Sequence, residues 1–279
     1  MRLTAKQVAN GARIEYIYIE LISVTYKAFL NIILLLITFR GFSQDMLNPD
    51  RPGESRTPEL VKGNNLQFEV GFRKEKIDEN LNFYQHPEGL IRYGLFNALE
   101  LRVRLVSQTI KDNASKNSLK GLAPVYFGVK AKILPEYKWL PSIGALAEVG
   151  APSLASGDFF IDGIPFEFRT LFNHNITNKF SLQYNFGVAW NETNNQKDNK
   201  QWMYTLSPIY KFTNQFHLFI EEYAFLRNGT GAEHYFDLGV QYFVDNNFVI
   251  DLCAGTGLSN ISSDYFIEGG LSYRINFSK

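Results

Sequence analysis

The sequence predicts an all-β fold: a transmembrane up-and-down antiparallel β-barrel of about 12 strands, after an N-terminal signal segment. Three observations carry this. From Leu66 onward apolar and polar residues alternate with a period of two, the spacing at which strand side chains point to opposite faces. Short and long connections alternate along the chain, as they do where hairpins are tight on one side of a membrane and open on the other. Aromatic residues gather towards strand ends, including Trp139, Trp190 and Trp202, where a ring with a polar edge suits a lipid–water boundary.

Composition agrees with this class. The 279 residues have a formal charge of zero and are 15% aromatic. Such a balance gives no support to a nucleic-acid partner, and ring-rich alternation suits strands. Cys253 is the single cysteine, which excludes an internal disulfide; without a His or Cys neighbour it makes neither a metal site nor a thiol relay. No cofactor is implied.

Residues 1–43 read as a signal peptide. The apolar run Phe29 to Phe39 follows Lys27 and precedes Gly41 and Ser43, so cleavage after Ser43 would leave Gln44 first. The run is shorter than the ~20 residues of a membrane-spanning helix. The stretch before Lys27 is either an extended signal or lies ahead of the true translation start. Residues 44–64 carry Pro49, Pro52 and Pro58 without apolar periodicity, which predicts an extended arm. That arm lies in the periplasm or tucks into the barrel mouth as a plug.

Residues 65–279 form the barrel. Leu66, Phe68, Val70 and Phe72 share one face of a first strand, and Leu99, Leu101, Val103 and Leu105 one face of another. Phe180, Leu182, Tyr184, Phe186, Val188 and Trp190 repeat the pattern, as do Phe236, Leu238, Val240 and Tyr242. The last strand, Asp264 to Phe277, is long and closes on an aromatic residue, the feature by which the barrel-assembly machinery would engage it. Short turns fall at Phe96–Ala98, His174–Asn178, Thr213–Asn214 and Asp245–Asn246. The longer segments include 74–88 and 108–120, expected as loops gating the outer mouth.

If the apolar face meets outer-membrane lipid and lipopolysaccharide, the polar face lines a lumen. Fifteen residues would then line it and set its selectivity: Glu69, Arg73, Arg92, Glu100, Arg102, Arg104, Lys130, Lys132, Glu148, Glu167, Arg169, Asp237, Asp251, Glu268 and Arg274. Acids and bases are interleaved, which suggests a salt-bridged interior. In Phe219 to Phe225 either register puts Glu221 or Glu222 on the lipid side, tolerable only near the rim. Pro124, Pro165 and Pro208 predict bulges or strand ends.

Several stretches resemble a bacterial family named for the MetA pathway of phenol degradation. They are Asp50–Arg51–Pro52, Thr57–Pro58, Gly63, Gln67 to Gly71, Pro87, Leu90 to Leu95 and Leu99 to Arg102, then Gly255, Gly257 to Ser259, Asp264 to Phe266 and Gly269 to Arg274. The order of these pieces, spread over most of residues 50–277, carries the likeness. It implies a Gram-negative outer-membrane, porin-like barrel and passage of small, hydrophobic or aromatic compounds. The ending Phe42–Ser43–Gln44 resembles signal ends of Bacteroidetes-type bacteria.

The search for chemistry returns little. His86 and His234 fall in or beside predicted outer loops, and His174 and His217 near the opposite rim. None has metal spacing or a serine and an orienting group beside it in sequence. The reading is therefore a non-enzymatic channel or transporter. A lipid hydrolase on a twelve-stranded barrel, a structural or adhesive barrel, and a secreted β-sandwich binding module are the alternatives.

Overall fold

The computed structural model describes residues 46–190, 200–227, 229 and 231–277; the segment read as a signal peptide, residues 1–43, lies outside the described residues. Among the described residues, thirteen strand segments form one antiparallel sheet. They are β1 (Asn65–Lys76), β2 (Leu81–Phe96), β3 (Leu99–Asp112), β4 (Asn117–Leu122), β5 (Val125–Leu134), β6 (Ser142–Ala151) and β7 (Phe166–Asn175). There follow β8 (Phe180–Trp190), β9 (Lys200–Lys211), β10 (Phe216–Arg227), β11 (Gly231–Asp245), β12 (Phe248–Gly257) and β13 (Tyr265–Asn276). Each pairs with its neighbours in sequence except β4 with β5, and β1 pairs with β13, so the sheet closes on itself.

β4 and β5 both pair with β3, at Leu122↔Ser107 and Tyr126↔Arg104. They are two halves of one stave broken at Ala123–Pro124, and the barrel has twelve staves. Pro124 has no N–H to give the ladder, so the break falls there. Pro165 immediately precedes β7. At Pro208 the β9–β10 ladder skips from Ile209↔Phe219 to Leu206↔Glu222.

The alternation sorts the wall into two faces. Leu238, Ile250 and Leu271 stand outward at 42–47% exposure, while Arg102 and Glu268 are buried inside at 3% and 7%. A continuous apolar outer wall of this kind far exceeds the patches a protein exposes to water, and hydrocarbon is the solvent that suits it. Glu221 turns inward and Glu222 outward, which settles the register of that stretch.

Short connections cluster at one end of the barrel, at 97–98, 176–179, 212–215 and 246–247. The expected loops 74–88 and 108–120 are mostly strand: their connections shrink to 77–80 and 113–116. Their polarity marks staves that rise beyond the apolar band without leaving the ladder, since Lys74↔Tyr84 and Asn82↔Lys111 remain paired. Asp78 closes the first turn, its Oδ1 accepting the N–H groups of Asn80 and Leu81 at 2.7 and 2.8 Å.

Candidate functional site

Residues 46–64 run through the interior of the barrel. Their prolines keep them from helix and they join no strand, so their N–H groups need partners elsewhere. Inward-facing side chains supply them. The Asp50 N–H donates to both Glu69 oxygens at 3.0 and 3.2 Å, and Gly53 N–H to Glu268 Oε1 at 2.8 Å. Glu54 and Ser55 N–H reach the two Glu221 oxygens at 2.6 and 2.7 Å. Val61 N–H donates to Glu100 Oε2 at 2.8 Å, and Asn185 holds Arg56 through its N–H and its carbonyl. Gly53 has φ +86°, in the left-handed region that glycine fills without strain.

Side chains of the arm enter the wall in turn. Lys130 Nζ reaches both Asp50 oxygens at 2.9 Å, and the Arg102 guanidinium donates to the same carboxylate. Arg92 bridges Glu69 (2.8 Å) and Glu100 (2.8 and 2.9 Å) while its Nη1 donates to the carbonyl of Asn48 at 2.8 Å. Arg102 and Arg104 share Glu148. Four carboxylates, Asp50, Glu69, Glu100 and Glu148, therefore meet four cations, Arg92, Arg102, Arg104 and Lys130. Closure matters, because a buried charge costs several kcal/mol unless it is paired and hydrogen-bonded. Burial pushes the Asp50 carboxyl up, but Arg92, Lys130 and Arg102 more than reverse this and hold it well below the usual carboxylate range. Glu54 is held down likewise, with Arg169 and Arg56 overcoming burial.

Glycines in the wall make room for the arm. The paired Gly71 and Gly270 face inward, and a Cβ on Gly71 would fall 2.0 Å from the Arg51 guanidinium. Arg51 fills that slot and reaches Asp251 Oδ1 at 3.3 Å. A Cβ on Gly94 would lie 2.1 Å from the carbonyl oxygen of Lys62. The arm therefore touches wall backbone at these points.

All fifteen residues read as lumen-lining are described. Eleven are buried: Glu69, Arg92, Glu100, Arg102, Lys130, Glu148, Arg169, Asp237, Asp251, Glu268 and Arg274. Arg73, Arg104, Lys132 and Glu167 are half-buried. Sequence reasoning missed the arm's Asp50, Arg51 and Glu54 as their partners. It also missed an aromatic cluster on the β10–β13 side of the interior, formed by Phe219, Tyr223, Tyr235 and Phe266 with Cys253. Tyr223 and Tyr235 stack at 5.0 Å, and the Arg73 guanidinium lies 3.7 Å from the Phe266 ring centre. These residues alternate with the outward set in their own strands, and that inward phase was the available signal.

The arm divides the interior. A cavity of about 700 Å³ lies on one side, lined among others by Arg73, Arg104, Arg169, Tyr126, Tyr223 and Tyr235. A second, of about 290 Å³, lies towards the short turns beside Leu47, His217 and Phe243. His217 is thus buried in the lumen against Phe243, at 4.5 Å between rings.

His234 is better partnered than its sequence context suggested. On the outer wall its Nδ1 lies 3.1 Å from Glu222 Oε1, which also accepts the Tyr204 hydroxyl at 2.9 Å. This local partnering is what lets Glu222 sit on the apolar side. Ser259 and Ser262 hydroxyls are also near, but they bond the main chain of residue 234: Ser259 Oγ accepts its N–H and Ser262 Oγ donates to its carbonyl.

The sequence model of the family described as "Putative MetA-pathway of phenol degradation" matches residues 49–275. Comparison with curated protein sequences finds no match. Among solved structures, an outer-membrane channel from Pseudomonas putida F1 is similar with a TM-score of 0.65 at 11% identity, covering 81% of this chain and 99% of that one. The NanC porin (TM-score 0.53, 11% identity, 75% and 100% covered) and the KdgM porin (0.51, 12%, 74% and 98%) are similar too. The fold is that of bacterial outer-membrane barrels, and the apolar outer wall belongs in that membrane. The chain belongs to the MetA-pathway of phenol degradation family.

Proposed function

We propose, proceeding from that family membership, that the chain is an outer-membrane channel or transporter for small compounds whose conduit is held closed by residues 46–64. The observation that carries this is the arm itself, bonded to opposite sides of the lumen and separating two cavities. A closed charge network favours a conduit for small uncharged or zwitterionic solutes over a strongly ion-selective pore. In the larger cavity, guanidinium groups of Arg73, Arg104 and Arg169 come together with Tyr126, Tyr223 and Tyr235, which suits a small aromatic compound carrying a polar group. The fifteen wall residues would set selectivity as the arm yields. Residues 1–43 would be removed on export, and β13 would engage the barrel-assembly machinery.

Planar-bilayer conductance and liposome uptake of small phenols test this. The full chain should pass little, and Asp50→Asn, which leaves Lys130 without its carboxylate and Arg102 with Glu148 but not Asp50, should raise passage severalfold. If both folded proteins pass and bind no solute, the channel reading fails and a structural role replaces it.

A further inference from the structure

The outer face of β1–β4 carries a second arrangement, made by register. Cross-strand partners place Tyr265, Lys76, Asn82, Lys111 and Ser118 in one outward row. Ile267, Lys74, Tyr84, Thr109 and Lys120 fill the next row towards the short-turn end. Lys74, Lys111 and Lys120 are exposed, with Lys111 Nζ 5.0 Å from the Tyr84 ring centre. Two acids lie beside them: Asp264 takes Lys76 at 2.7 Å, and Asp158 accepts the main-chain N–H of Lys120 at 3.0 Å. Among the described residues, the other lysine at an outward strand position is Lys200, on β9. The lysines are thus gathered on one sector of the wall.

Directly below them the wall is notched. The β1–β2 ladder jumps from Gly71↔Glu88 to Arg73↔Gln85, so Phe72 faces a bulge at His86 and Pro87. Gly269 adds no side chain there, and an apolar trough of about 350 Å³ opens between Phe72, Leu252 and Ile267. Ammonium groups above an apolar trough, on a wall that faces lipid, fit an amphiphile with its phosphate at the rim and an acyl chain below. In outer-membrane barrels the end opposite the short turns faces outward, so this rim meets the outer leaflet.

We propose that this face binds a phosphorylated glycolipid of the outer leaflet, its phosphate on Lys74, Lys111 and Lys120 and one acyl chain in the Phe72–Leu252–Ile267 trough. The site is separate from the lumen and does not depend on solute passage.

Native mass spectrometry of the full chain in neutral detergent, with bis-phosphorylated lipid A and its dephosphorylated form, tests it. The unaltered protein should prefer the phosphorylated lipid, and K74Q/K111Q/K120Q should lose that preference by roughly tenfold or more. K200Q should keep it. Unchanged heat-modifiable migration certifies the triple variant's fold; should it misfold, K74Q and K120Q singly should each weaken the preference. No preference in the unaltered protein, or full retention in the variants, overturns the proposal. So does inorganic phosphate that competes as well as the lipid, since the trough would then contribute nothing.

Discussion

The two sides of the lumen hold the same arm by different means. On the β1–β7 side, wall charges pair with each other and with an arm side chain: Asp50 sits among Lys130, Arg102 and Arg92. On the β10–β13 side, Glu221 and Glu268 take arm N–H groups, and phenylalanine and tyrosine rings fill the space behind. Each side also makes contacts of the other kind, Glu69 and Glu100 taking arm N–H groups and Asp251 taking the Arg51 side chain. The dense charge lies on the first side, however, and the hold on the Gly53–Ser55 backbone on the second. Substitutions that change arm charge should act on the first, and those that change arm shape on the second.

The largest effect should come from Asp50→Ala. It leaves the buried Lys130 ammonium without its carboxylate and removes one partner from Arg102 and Arg92, which keep Glu148, Glu69 and Glu100, a loss of about 3–5 kcal/mol. The arm should detach, seen as protease sensitivity within residues 46–64 and raised conductance, while the barrel still shows heat-modifiable migration. An arm that stays protected would break the comparison. Phe266→Ala should cost about 3 kcal/mol by opening a void under Arg73, at the low end for a buried phenylalanine because lumen water can enter. Here the unfolding midpoint should fall while the arm stays protected, so arm release would mean that the two sides are not separable.

Gly53→Ala should act on the backbone side by about 1–2 kcal/mol, because φ +86° disfavours a Cβ that would also meet Glu221 Oε2 at 2.9 Å. Arm protection measured against glycine and alanine variants reads this directly. Acidification gives a graded version of the Asp50 test. A carboxyl held below its ordinary value contributes stability above the ordinary range near pH ~4, and loses it as pH falls through the lowered folded value. The arm should therefore stay docked from neutral pH to about pH 4 and release only below it; release at pH 6 would contradict the assignment. The smallest effect should be His234→Ala on the outer wall. It removes one of two hydrogen-bond partners of Glu222 and leaves the Tyr204 hydroxyl, a loss of about 1 kcal/mol, and conductance and phospholipid turnover should not change.

Much of this was legible in the sequence. A period of two in Leu66 to Arg73 or Phe180 to Trp190 must give one apolar and one polar face, and a chain of such stretches joined by hairpins closes most simply into a barrel. That logic also put Arg92, Glu100 and Arg102 on the polar face. It failed at 74–88 and 108–120, where a polar composition concealed strands continuing past the apolar band. Lys74 and Lys111 look like loop residues to a pattern that scores only polarity.

What the sequence determined by itself is the direction in which each strand side chain points, because alternation is a local property of an extended backbone. What the tertiary structure alone decided is who meets whom inside. Asp50 reaches Lys130, and Arg51 reaches Gly71, Gly270 and Asp251, across separations that no local pattern encodes. Those contacts exist because a closed barrel gathers distant inward faces around one axis, and an arm without strand partners must satisfy its polar groups there.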